Sequence, residues 1–133
     1  MRVADLMRTN VRSVAPTASV AEVVQVMADH HVSGLPVVDH AGKVIGVITS
    51  TDVLQAEAEQ GDSRSRNRLF DHTTARDLMT TQVLTVEPDA DARDAARQML
   101  YAEVRRLFVV ADGRLVGVIS QTDIAHAVST GRI

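Results

Sequence analysis

Slid against itself by 72 positions, the chain finds its own sequence: Asp5-Leu6-Met7 falls on Asp77-Leu78-Met79, and Val14-x-Pro16 on Val86-x-Pro88. The same offset carries Leu35, Val37 and Val38 onto Leu107, Val109 and Val110. One residue is then lost in a turn, and at an offset of 71 the run Gly46-Val47-Ile48-Thr49-Ser50-Thr51-Asp52 meets Gly117-Val118-Ile119-Ser120-Gln121-Thr122-Asp123. A duplication of this extent forces one supersecondary unit to be built twice. A copy of about 55 residues buries too little surface to be secure alone. The two copies are therefore expected to pack sheet to sheet across an approximate two-fold axis, as one cooperative module spanning residues 1–133.

Each copy carries the same local signals. Ser19 followed by Glu22 forms a capping box, and Val20, Val23, Val24 and Met27 then recur on one helical face. The second copy opens its helix with Asp91 and repeats the face as Ala92, Ala95, Ala96 and Met99. A β-branched run follows in each, Leu35 to Val38 and Leu107 to Val110, then a turn, then Val44 to Thr49 and Leu115 to Ser120. Asp112-Gly113 is a strong hairpin signal, and His40-Ala41-Gly42-Lys43 is its longer counterpart. A last helix is expected from Thr51 to about Gln60 and from Thr122 to about Ser129. The fold class is thus α+β, two β-α-β-β-α repeats over residues 3–59 and 75–130. Between the copies, Gly61 to Arg68 is glycine-started, polar and without apolar period, so the stretch of about 60–74 reads as a linker.

Composition narrows the function classes. The net charge of −3 gives no footprint for nucleic acid or an anionic membrane, both of which call for an excess of Lys and Arg. The absence of cysteine removes disulfides and thiolate zinc chemistry. Asp5 interrupts what would have to be the apolar stretch of a signal peptide, and no apolar run reaches membrane-spanning length, so a cytoplasmic protein is expected. His30-His31 is the one tempting metal pair, but neighbours on a helix point about 100° apart and cannot share a tetrahedral ion unaided, so no metal site is expected. No spacing suggests a Ser-His-Asp or paired-carboxylate arrangement.

The chemistry concentrates where each copy's second strand runs into its last helix. Ser120 and Thr122 hydroxyls there sit beside unpaired backbone N–H groups at the positive end of a helix dipole, which suits an anion. Asp123 at the same corner is a fixed acceptor of the kind a vicinal ribose diol satisfies with two O–H donors. Ser-x-x-Asp is equally an ordinary capping box, and both readings stand. Two features favour the ligand: both copies use Asp where Glu caps as well, and both place a glycine upstream, Gly46 and Gly117, suited to close backbone approach.

The order of elements, with D-L-M opening each copy, S-G-L-P-V-V-D in the first, R-R-L-F-V-V in the second and G-V-I-[ST]-x-T-D closing both, resembles the CBS motif. Two in tandem resemble a Bateman module. The resemblance implies a pair of clefts between the repeats that bind adenosine-containing ligands such as AMP, ADP, ATP or S-adenosylmethionine, frequently in homodimers, with no family-wide catalytic activity. Carried onto this chain, one cleft takes Ser120, Thr122, Asp123, Arg105 and Arg106, with Val32, Ser33 and the stretch from Met7 through Thr9 to Arg12. The other takes Thr49, Thr51, Asp52, Ser33 and Val104, with the stretch from Met79 through Thr81 to Leu84. Basic residues at the position of Arg105 and Arg106 reach phosphate in the family, and Ser33-Gly34 replaces them in the first copy, so the cleft closed by Asp123 is expected to be the tighter. Phe70, Tyr101 and Phe108 are the only aromatics, so a base would lie between aliphatic side chains.

These features together predict a regulatory adenine-nucleotide sensor that requires no cofactor, is not an enzyme and acts on a protein partner in trans. A structural dimerisation or scaffold module with vestigial clefts is the alternative, and a nucleotide-acting enzyme the last. A homodimer joined through helices is expected, because the apolar faces Val20 to Met27 and Ala92 to Met99 and the closing helices offer more apolar surface than one small sheet pair covers.

Overall fold

Seven helices and five strands follow one another among the described residues, most of them in matched pairs. The computed structural model describes residues 1–133, apart from the side chain of Arg66. The first copy contains α1 (Val3–Leu6), α2 (Val20–His30), β1 (Gly34–Val38), β2 (Val44–Thr49) and α3 (Ser50–Ala58). After α4 (Ser63–His72), the second contains α5 (Ala75–Leu78), β3 (Thr85–Val86), α6 (Ala92–Ala102), β4 (Arg106–Ala111), β5 (Arg114–Ser120) and α7 (Gln121–Ser129). No helix among the described residues is long and apolar enough to cross a membrane.

Matched local chemistry produces matched elements. Ser19 Oγ accepts from the Glu22 amide to start α2, and the Asp91 carboxylate accepts from the Arg93 amide to start α6. Both helices end on a non-glycine residue in the left-handed region, His31 at φ 53° and Glu103 at φ 58°. The next amide in each case, Val32 or Val104, returns to the carbonyl of Met27 or Met99 at 3.0 Å. β1 pairs antiparallel with β2 and β4 with β5, each with a bulge, between Val37 and Val38 and between Val109 and Val110. The second hairpin turns on Asp112 and Gly113, both at positive φ, as expected of an Asp-Gly turn.

The first strand differs between copies. β3 pairs parallel with β4, Thr85 opposite Phe108 and Val86 opposite Val109, whereas the first copy keeps only the bridge Val14 to Val37. Pro36 stands where Phe108 stands in the second copy and has no N–H with which to extend the ladder.

The stretch 60–74, expected as a linker, is largely the helix α4. Asp62 caps it by accepting from the Ser65 amide at 2.8 Å. Leu69 is buried, and Phe70 packs against the core that α2 helps to build. Two apolar residues at its carboxyl end anchor a helix whose composition alone reads as solvent-facing chain.

The compact units do not coincide with the repeats. One is Met1–Val11 with Leu84–Ile133, and the other is Arg12–Val83. Each unit therefore takes the opening segment of the opposite copy. In the first, Val3 of α1 joins Ala95, Met99, Leu107, Val109, Ile119 and Ile124 in the core. In the second, Ala75 of α5 joins Val20, Val23, Met27, Leu35, Val37, Ile48 and Val53. Each fully buried aliphatic side chain here contributes roughly 1.5–3 kcal/mol relative to exposure, so losing an opening segment would uncover a core.

The helix faces from which a dimer was expected are largely consumed by burial: Val20, Val23 and Met27 on α2, and Ala92, Ala95 and Met99 on α6, are buried, while Val24 is exposed. Apolar side chains also reach the surface at Leu54 of α3 and Val128 of α7, the closing helices, and at Leu100 and Tyr101 of α6.

Candidate functional site

Two strand-to-helix corners, one per unit, hold the residues singled out in the closing motifs. At the end of β5 the Ser120 amide donates to Asp123 Oδ2 at 3.0 Å, and the Asp123 amide donates to Ser120 Oγ at 3.1 Å. At the end of β2 the Thr49 amide and Thr49 Oγ1 both donate to Asp52 Oδ2, at 2.8 and 3.0 Å, and the Asp52 amide donates to Thr49 Oγ1 at 3.2 Å. The capping box is thus real in both copies, and it uses one carboxylate oxygen, Oδ2. The other oxygen is left over as an acceptor held at fixed position and in a half-buried setting.

The exchanged opening segments run directly past these corners. Arg8 and Val118 exchange amide-to-carbonyl hydrogen bonds at 2.9 and 3.0 Å, and Thr80 and Val47 do the same at 2.8 and 2.9 Å. Gly117 and Gly46 permit the approach. A β-carbon on Gly117 would stand 2.8 Å from the Arg8 carbonyl oxygen and from Met7 Sδ. One on Gly46 would stand 2.5 Å from Met79 Sδ and 3.0 Å from the Thr80 carbonyl oxygen. The glycines suited to close approach are there to admit backbone and a methionine of the opposite copy.

The residues before the middle strand are tied to the same corners. The Gln121 amide donates to the Arg105 carbonyl at 2.9 Å, Gln121 Nε2 donates to the Val104 carbonyl at 3.1 Å, and Arg106 lies opposite Ser120 in the ladder. In the other unit the Ser50 amide donates to the Ser33 carbonyl at 2.8 Å, and Gly34 lies opposite Thr49. One unit thus groups Met7, Thr9, Arg105, Arg106, Ser120, Thr122 and Asp123, while Arg12, Val32 and Ser33 belong to the other unit. That other unit groups Ser33, Thr49, Thr51, Asp52, Met79 and Thr81, while Leu84 and Val104 belong to the first. The charge difference between corners is as large as the sequence implied, two exposed arginines against Ser33 and Gly34.

Arg8, within the stretch from Met7 to Arg12 assigned to this cleft, reaches Asp123, and four residues not expected at the site, Asp5, Leu6, His126 and Arg132, join it. Arg8 Nε donates to Asp123 Oδ1 at 3.2 Å, the oxygen not used by the cap. A recess of about 330 Å³ beside this pair is lined by Asp5, Leu6, Arg8, Thr122, Asp123, His126 and Arg132. The signal for Arg8 was present in the repeat, which places Thr80 at its counterpart position. His126 and Arg132 carry no comparable signal, since only the helical phase of α7 and the turn after it bring them to the recess. No group of three or more His, Cys, Asp or Glu suited to hold a metal ion occurs among the described residues.

The family described as CBS domain matches residues 3–59 and 75–130. The chain is similar to the CBS domain-containing protein CBSX1, chloroplastic, of Arabidopsis thaliana, 30% identical over 135 residues, covering 86% of this chain and 57% of that protein. It spans 59% of CBSX2 of the same organism. A crystal structure of CBSX2 in complex with AMP superposes with a TM-score of 0.82 at 29% identity, covering 99% of this chain and 98% of that one. The CBS domain pair of protein MJ0100, solved in complex with 5′-methylthioadenosine and S-adenosyl-L-methionine, superposes with a TM-score of 0.75 at 26% identity, covering 100% of this chain and 98% of that one.

Proposed function

The chain belongs to the CBS domain family as a tandem pair of its motifs, and we propose that it is a regulatory module that binds an adenosine-containing ligand and signals to a protein partner in trans. The observation that carries this reading is the matched pair of aspartates, Asp52 and Asp123. Each has Oδ2 fixed by a cap that leaves a second carboxylate oxygen over, and an exchanged opening segment pairs with the strand that runs into each corner. A carboxylate so fixed offers a ribose diol an acceptor whose own position is already set. Adenosine is the chemistry common to AMP, 5′-methylthioadenosine and S-adenosylmethionine, the ligands bound by the two similar structures.

The Asp123 corner is the tighter site for phosphorylated ligands, supported by Arg105 and Arg106 beside Ser120. The ligand acts as a regulator, shifting the chain between conformations by its differential affinity for them. No cofactor, metal, nucleic acid or membrane enters this function, and a cytoplasmic setting and a homodimer complete it. The exposed Leu100 and Tyr101 of α6 support self-association.

A thermal-shift panel of AMP, ADP, ATP, adenosine and S-adenosylmethionine tests the ligand class. A ligand at 100 times its dissociation constant stabilises by about 2.7 kcal/mol, a shift of several degrees for a chain of this size. A panel that moves the melting temperature nowhere favours the scaffold alternative, and turnover of a nucleotide by the pure chain favours the enzyme.

A further inference from the structure

The two corners differ at one atom that matters for what they select. Asp123 Oδ1, the acceptor left over by the cap, is occupied by Arg8 Nε at 3.2 Å. In the other unit Thr80 takes the place of Arg8 in the bridge, and among the described residues no arginine of the opening segment forms an ion pair with Asp52. The Arg8 side chain is 73% exposed while that of Asp123 is 11% exposed, so the cation can swing away while the carboxylate stays. The 330 Å³ recess beside the pair also holds Arg132, whose guanidinium has no salt-bridge partner among the described residues.

From this geometry we infer that Arg8 is a specificity-determining residue that makes the Asp123 corner select anionic ligands. The inference rests on the adenosine-site reading above. A ribose diol that takes Asp123 Oδ1 displaces Arg8 and leaves its charge without a partner. A ligand with its own 5′-phosphate supplies one, and the guanidinium moves from carboxylate to phosphate with its hydrogen bonding preserved. Neutral adenosine loses the pair and gains nothing in return. The Asp52 corner, with Thr80, has no such cost and no such reward.

The test is calorimetry of adenosine and AMP on the full chain carrying Asp52→Asn, so that the titration reports the Asp123 corner, with Arg8 intact, Arg8→Thr or Arg8→Lys. With Arg8 intact, AMP binds at least about tenfold tighter than adenosine, as expected of one charge-assisted contact. Arg8→Thr, which installs the residue found in the other copy, tightens adenosine by up to about fivefold and weakens AMP, because an exposed ion pair is worth at most about that factor. Arg8→Lys, which keeps the charge and loses the fork, falls between. Thermal unfolding of each variant, with a midpoint close to that of the parent, shows that the fold is kept. An AMP-to-adenosine ratio that Arg8→Thr leaves unchanged, or equal weakening of both ligands, overturns the selection role while leaving the adenosine site standing. Binding of neither ligand with Arg8 intact removes the adenosine site, and the inference with it.

Discussion

The Arg8 carbonyl oxygen lies 2.8 Å from the point where a β-carbon on Gly117 would stand, and Arg8 exchanges both backbone hydrogen bonds with Val118 next to it. Glycine at 117 is thus the condition for the opening segment of one copy to close the corner of the other. Gly117 has no positive φ to accommodate, so space alone requires it. Gly117→Ala should cost about 1–3 kcal/mol, the usual range for overpacking. Replacing Met7 as well should recover only part of this, since the carbonyl remains. Hydrogen exchange at the Arg8 and Val118 amides should accelerate in Gly117→Ala beyond the change in global stability. Unchanged protection of those amides would show that the segment does not depend on the glycine.

Leu69 tests whether α4 is structural. It is 5% exposed on a helix whose remaining surface is polar. Leu69→Ala should destabilise by about 2–4 kcal/mol in urea denaturation, as large-to-small core changes do. A change below about 0.5 kcal/mol would return this stretch to the role of a tether.

Acid should weaken the chain through its capping carboxylates. The Thr74 amide and then the Thr74 hydroxyl donate to Asp77, which holds its carboxyl below the ordinary 3.8. The Lys43 amide, joined by that of Ala41, does the same for Asp39, as the Arg93 amide does for Asp91. A carboxyl whose folded value is lowered favours the native state fully above its unfolded value. That contribution is lost as pH falls from 3.8 through the lower folded value. Urea midpoints measured from pH 6 down should therefore drop below about pH 4, and Asp77→Asn, which keeps an acceptor but no titrating proton, should flatten the drop.

Self-association should run through α6. Tyr101 is 94% exposed and Leu100 is 70% exposed, so a double change to Glu should be neutral to folding and disruptive to a dimer. Light scattering at high micromolar concentration should give a dimer for the parent chain and a monomer for the variant. A monomeric parent would remove the homodimer from the proposal.

Much of this architecture could be read from the repeat. The strands beginning at Val44 and ending at Thr49 and Ser120, the cap at Ser19 and the turn at Asp112-Gly113 follow from local chemistry that one window of sequence contains. Two features could not be read that way. Exchange of the opening segments is a long-range pairing, and its only local trace is a glycine, Gly46 or Gly117, in a strand where none is needed for turning. α4 escaped because its helix is held by Leu69 and Phe70 against distant residues, and its own composition is that of exposed chain. At the site, the closing motif led to Ser120, Thr122 and Asp123, but the partner of Asp123 is Arg8, 115 residues away.

The most direct test of the whole proposal is a calorimetric titration with AMP of the parent chain, Asp123→Asn and Asp52→Asn. Asparagine keeps an acceptor for the Ser120 or Thr49 amide, so the caps survive while the charged acceptor for ribose is lost. The parent should bind in two phases separated by roughly tenfold to several hundredfold, the effect of one or two charge-assisted contacts from Arg105 and Arg106. Asp123→Asn should abolish the tighter phase alone, and Asp52→Asn the weaker phase alone. A parent chain that binds no AMP, or a tighter phase that survives Asp123→Asn and vanishes with Asp52→Asn, would contradict the assignment.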